Sequence, residues 1–289
     1  MKALNVETSK SRDSTQVLST DDSSIFKALL YFDLFNFPLT IKELWNYSSC
    51  VSEAVLRQRL QFWVAQGFVL RQESFYALGA PQKMILERKN GEERAESMWT
   101  KACQKAALIN QFPFVRAVFI SGSISKGVVA EDGDVDFFII TKPERLWLSR
   151  TLLALYKKVF LLGSHRYFCI NYFIDNEFLT IEEQNNFTAT EIATLIPMVG
   201  ESVLISDFFA ANSWVKRYYP NFTEKQIVIE ESAAYPFRNF IEACLDFCGG
   251  NFLDKLGQRV TTTFWKKKFK GMPRQDFNSA LKSNRHVSK

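Results

Sequence analysis

Two aspartates one residue apart, Asp134 and Asp136, and a Gly-Ser pair upstream, Gly122-Ser123, are the residues of this chain whose types and spacing could do chemistry. The run Val135 to Thr141 has strand composition. Alternate side chains of a strand share a face, so Asp134 and Asp136 should project together while Val135 and Phe137 enter the core. Paired carboxylates repel when both ionise. A divalent cation relieves that repulsion. Hard oxygen donors suit Mg²⁺, with Mn²⁺ a second fit; Mg²⁺ keeps waters and takes phosphate oxygens as further ligands. Asp132 would join this face only if the strand ran back past Gly133, where a turn is expected instead.

Gly122-Ser123 directly follows Val115-Arg116-Ala117-Val118-Phe119-Ile120-Ser121, a buried-strand pattern. Glycine lets a phosphate come close to the backbone, and N–H groups of the following turn can cradle it. The Ser123 hydroxyl can donate to a phosphate oxygen, and Lys126 adds a positive charge in the same loop. After the second strand, Pro143 opens an amphipathic helix over Glu144 to Leu161, and Arg166 to Ile174 reads as a third strand. The order β–loop–β–α–β predicts a small mixed sheet backed by helices.

Gly122-Ser123, ten residues, then Asp134-Val135-Asp136 and an apolar run resembles the DNA polymerase β-like nucleotidyltransferase superfamily, and most of all its small bacterial nucleotidyltransferase-domain proteins. Lys126-Gly127 stands where members commonly show Arg-Gly, and Asp132-Gly133 where they often show Asp-Ser. The resemblance implies transfer of NMP from a nucleoside triphosphate to a hydroxyl of a small molecule, protein or RNA end, with pyrophosphate release. It implies Asp134 and Asp136 as metal ligands, and Gly122, Ser123, Ser125, Lys126 and Gly127 as nucleotide contacts. Lys126 neutralises phosphate as a point charge without the bidentate geometry of Arg. The family adds a third carboxylate from a later strand. Here the position facing the pair falls at Asn171, an amide that cannot act as a base, and Asp175 at the strand end is the remaining carboxylate. Were neither to serve, the domain would use another base, or bind nucleotide without turnover.

The fold class expected is α+β, in four parts. Residues 1–22, rich in Ser, Thr, Asp and Lys, read as a disordered tail. Residues 23–80 carry Ile25, Leu29, Phe32 and Phe35 at helical spacing, a Thr40…Glu43 capping box, a third helix opened by Ser52 and stopped by Gly67, and two short strands. Three helices and a hairpin resemble a winged helix, which could contact DNA or a protein partner; Arg57 and Arg59 are the cations its third helix offers. Residues 81–186 form the nucleotidyltransferase core. They begin with a helix from Gln82 to Asn110 whose solvent side should carry Lys83, Glu87, Arg88, Glu92, Glu93, Arg94 and Glu96. Residues 187–289 read as helical, with Pro197 closing the first helix, further helices on either side of Gly249-Gly250, and a basic tail from about 266.

Of the 289 residues 47% are hydrophobic and 23% charged, enough to fill real cores, and most of the 27 Phe should be packing. The net charge of +5 permits a polyanionic partner without requiring one. Five cysteines without a CxxC pair argue against a disulfide framework and fit a reducing, cytoplasmic setting. Cys244 and Cys248 share a helix face, but two histidines in the whole chain make a zinc site there improbable. No apolar run approaches the ~20 residues of a membrane span. His165 reads as structural or surface, and Arg145 as packing on the sheet.

Overall fold

The structure, a computed structural model, describes residues 19–79, 81–162, 166–223, 230–231 and 235–268. Residues 1–18 of the expected tail lie outside the described residues, and residues 19–22 belong to a helix and its cap. Ser19 caps a helix, α1 (Thr20–Asp33), through a reciprocal box in which its hydroxyl accepts from Asp22 N–H at 3.1 Å and the Asp22 carboxylate accepts from Ser19 N–H at 3.2 Å. β1 (Leu39–Thr40) leads into α2 (Ile41–Asn46), and the expected Thr40–Glu43 box is present at the junction. Ser52 caps α3 (Glu53–Ala65) by accepting from Val55 N–H. β2 (Leu70–Gln72) and β3 (Phe75–Ala77) form the expected hairpin, and β1 joins it as a third strand in the order β1-β3-β2.

α4 (Pro81–Asn110) leads to β4 (Val115–Ser121), the short helix α5 (Gly122–Ser125) and β5 (Asp136–Thr141). Then come α6 (Leu146–Phe160), β6 (Cys169–Asp175), α7 (Asn186–Thr194) and β7 (Ile196–Gly200). α8 (Ser202–Ala211), a 3₁₀ turn (Ser213–Arg217), β8 (Glu230–Glu231), α9 (Pro236–Phe247) and α10 (Gly250–Lys268) close the described chain. The five-stranded sheet has the order β6-β5-β4-β7-β8; β4 runs antiparallel to both neighbours, and β5 runs parallel to β6. The class is therefore mixed α+β.

Side-chain alternation sorts the sheet's two faces. Val118, Ile120, Phe137 and Ile139 pack with α4 and α6. Ala117, Phe119, Phe138 and Ile140 lie in one continuous apolar cluster with Ile25, Phe32, Leu44, Leu60 and Trp63 of the N-terminal module and with α7 and α8. The module is thus built onto the sheet. Arg88 reinforces the join and does not lie on the solvent side as expected. It falls on the buried stripe of α4 with Met84, Ala95 and Met98, its guanidinium 4.0 Å over the Phe37 ring, donating to Pro38 O and Glu43.

Pro197 lies within a strand, where the sequence predicts a helix end. β7 pairs with β4, and Pro197 sits opposite Phe119 where the register slips, a place where a strand tolerates a residue without N–H. The sheet therefore draws on residues beyond 186. α10 continues through Lys266, Lys267 and Lys268. The rest of the basic tail and His165 lie outside the described residues.

Candidate active site

The loop after β4 and the first residues of β5 and β6 meet at one end of the sheet. Asp136 opens β5, and Asp134 lies just before it rather than on the strand. Antiparallel pairing sets Ser121 opposite Asp136, and parallel pairing sets Cys169 beside it. One ligand atom each from Asp134, Asp136 and Cys169 lie within 4.8 Å of one another. All three residues are half-buried.

Gly122 makes this approach possible. Its φ of +69° is left-handed, and a Cβ there would collide with the Asp136 carboxylate. Burial first, then the charges of Asp134 and Glu191, push the Asp136 carboxyl up to about 6; a hydrogen bond from Cys169 and the charge of Lys126 pull the other way. Burial and the two aspartates drive the Cys169 thiol far above its ordinary range. Asp136 and Cys169, which resist charge, therefore share one spot with the Asp134 carboxylate, the electrostatic situation a divalent cation relieves. Ser121 adds a second sign of fit. It shares the strand face of Ala117 and Phe119, and its hydroxyl is buried with no hydrogen-bond partner among the described residues. The donor set of two carboxylates and one thiol suits a cation with its bound waters.

Position decides the third-carboxylate question. Asn171 does not face the pair: β6 carries one extra residue against β5, because Phe137 pairs with Ile170 and Phe138 with Tyr172, leaving Asn171 in the irregularity. Cys169 occupies the facing position instead. Asp175 lies opposite Thr141 at the far end of β6, six residues or about 20 Å along the strand. There it is buried and accepts from Glu177 and Phe178 N–H groups. Asp175 is therefore not brought to the pair. Asp132 is exposed and stands outside the cluster.

The residues expected to contact nucleotide divide in the same way. Exposed Ser123, with Gly122 and Lys126, lines a cleft of about 590 Å³. Lys126 Nζ donates to Gly122 O at 3.0 Å and pairs with Glu191 of α7 at 2.7 Å. Ser125 is fully buried, and its hydroxyl donates to Gly122 O. It therefore braces the turn and does not face the cleft. Gly127 has φ +76° and supplies the next left-handed bend. Tyr31, Phe35 and Phe37 of the N-terminal module form another cleft wall, with Phe187 of α7. α4 fixes the outer loop: Gly91 O accepts from Val129 N–H, a side chain at Gly91 would strike Val128, and Arg94 donates to Val129 O. The sequence signal missed for Arg88 was its place on the apolar stripe of α4. Nothing in the pattern marked Ser121.

Arg145 bonds Asp246 and Asn251 and so ties α6 to the C-terminal helices. No described helix is long and apolar enough to cross a membrane.

A glycine-bearing turn after one strand and a carboxylate pair at the start of the next thus meet at one end of a mixed sheet. Residues 103–191 match the nucleotidyltransferase domain family, which belongs to the polymerase β-like superfamily. Members of that family typically use a divalent metal and a nucleoside triphosphate. No curated protein and no solved structure matches the chain.

Proposed function

We propose that the protein is a divalent-cation-dependent nucleotidyltransferase that moves NMP from a nucleoside triphosphate to an acceptor hydroxyl and releases pyrophosphate. The observation carrying this reading is the convergence of Asp134 and Asp136 beside the Gly122-Ser123 turn within the family-matched segment. Asp134 and Asp136 would hold the cation, Mg²⁺ by the hardness of their oxygens. When bound, it supplies charge neutralisation at the phosphates and the leaving pyrophosphate. Ser123 donates to a phosphate oxygen. Lys126, released from or shared with Glu191, neutralises phosphate charge. Gly122 keeps the backbone close to both. The cleft over the turn is of nucleotide-accommodating size, and its aromatic wall gives the base a surface on which to stack.

The reading is tested by incubating the full chain with labelled nucleoside triphosphates, Mg²⁺ or Mn²⁺, and fractionated acceptors. Pyrophosphate release that Asp134→Asn with Asp136→Asn abolishes is the expected result; undiminished release in the double variant would refute the site.

Cys169 in place of a third carboxylate favours a second reading, in which the domain binds nucleotide without turnover and regulates through the N-terminal module. For that module we propose a winged-helix identity, from its helix order and three-stranded sheet. Its α3 cations are already paired within the chain, Arg57 with Glu53 and Arg59 with Asp22. This favours protein contact or packing over DNA binding.

A further inference from the structure

Two hard oxygen donors and one sulfur converge in this site, and the sulfur changes which cation it should prefer. We propose that Cys169 is a direct third ligand of the cation held by Asp134 and Asp136, so that the site favours a thiophilic divalent cation such as Zn²⁺ over Mg²⁺. The inference rests on the nucleotidyltransferase reading of the same site and goes beyond it.

Register, proximity and access support it. Parallel pairing places Cys169 directly beside Asp136 at the open end of β6. Its sulfur and the two carboxylates lie within 4.8 Å of one another. Metal–ligand bonds of about 2.0–2.3 Å put the donors of a four-coordinate zinc ~3–4 Å apart, so small rotations close the set. The thiol is in no disulfide and is only half-buried.

Ligation breaks the S–H bond, forms a sulfur–metal bond and releases the proton to solvent; nothing is oxidised or reduced. Thiolate donors select zinc-like cations, whereas carboxylate and water suit Mg²⁺. A ligating thiolate also cannot serve as the base for an acceptor hydroxyl. The third position thus contributes to holding the cation and not to proton removal.

Cobalt tests this directly, because a cobalt–thiolate bond gives a near-ultraviolet charge-transfer band that carboxylate ligation does not. The full chain, stripped by chelation, is titrated with Co²⁺ alongside Cys169→Ser and Cys169→Asp, with circular dichroism and melting to verify folding. The band should appear in the natural protein, vanish in both variants, and vanish in Asp134→Asn with Asp136→Asn. Loss of an outer-shell partner alone costs about 10–100-fold in metal affinity, so Cys169→Ser should weaken Zn²⁺ binding by at least about tenfold while sparing Mg²⁺. Co²⁺ bound without the band in the natural protein overturns the role of Cys169 and leaves the nucleotidyltransferase reading standing. Failure of the natural protein to bind any divalent cation, nucleotide present or absent, overturns both.

Discussion

The two sides of the site are built to different standards. On the phosphate side, Gly122, Ser123 and Lys126 sit on one turn, braced from beneath by Ser125 and from outside by α4 through Val129. On the carboxylate side, Asp134 and Asp136 are joined by Cys169, while Asp175 stands at the far end of β6 and Glu191, whose charge reaches Asp136, is paired with Lys126. Under the proposed function, groups suited to grip a charged ligand are thus assembled, while the strand position beside Asp136 carries a thiol instead of a carboxylate. Binding and turnover in this protein should therefore be separable.

The largest effect expected falls where the two sides touch. Gly122→Ala forces a side chain into the left-handed region, at about 1–2 kcal/mol, and into the Asp136 carboxylate. Loss of both metal-dependent nucleotide binding and turnover in a chain that still folds is the expected outcome, measured by calorimetry and pyrophosphate release. Unchanged binding would break the link between the sides.

Cys169→Asp should sharpen the comparison next. A positioned base is worth about 10²–10⁴-fold, so Mg²⁺-supported turnover should rise by about tenfold or more with little change in nucleotide affinity. A fall in turnover would show that the thiol is not a deficit.

Smaller and opposite effects are expected from the Lys126–Glu191 pair. Lys126→Ala should raise the KM for nucleotide by about tenfold, one charge-assisted contact of roughly 1.5 kcal/mol. Glu191→Gln should lower it by releasing Lys126. Steady-state kinetics on both variants reads the contrast; shifts of the same sign would remove Lys126 from the phosphate side.

The smallest is a pH dependence. In the metal-free protein Asp136 is held up at about 6 from 3.8, so the folded state keeps its proton more tightly than the unfolded chain. That contribution to stability is fully present below 3.8 and is lost as pH rises through about 6. Metal-free melting temperature should fall across this window, Asp136→Asn should flatten the fall, and added divalent cation should reverse it.

These contrasts also show what the residue pattern made legible. Gly122-Ser123 and the Asp134/Asp136 pair could be placed because glycine marks the close turn and because apolar residues on each side of Asp136 fix its face. Cys169 could not, because one extra residue in β6 at Asn171 shifts the alternation, and periodicity alone does not report register. Pro197 reads as a helix terminator yet lies in β7, where a slip in the β4 pairing accommodates it. Arg88 looked like surface charge, but its position on the apolar stripe of α4 carried the contrary signal. The N-terminal helices and their caps at Thr40 and Ser52 were readable because caps are local; their fusion to the sheet through one apolar cluster was not, since that contact is long-range.

The central claim is that Asp134, Asp136 and the Gly122-Ser123 turn bind a cation and a nucleoside triphosphate together. Calorimetric titration of nucleoside triphosphate into the natural chain and into Asp134→Asn with Asp136→Asn, each with and without divalent cation, tests it most directly. The account predicts cation-dependent binding to the natural chain that the double variant loses; equal binding by both chains would contradict it.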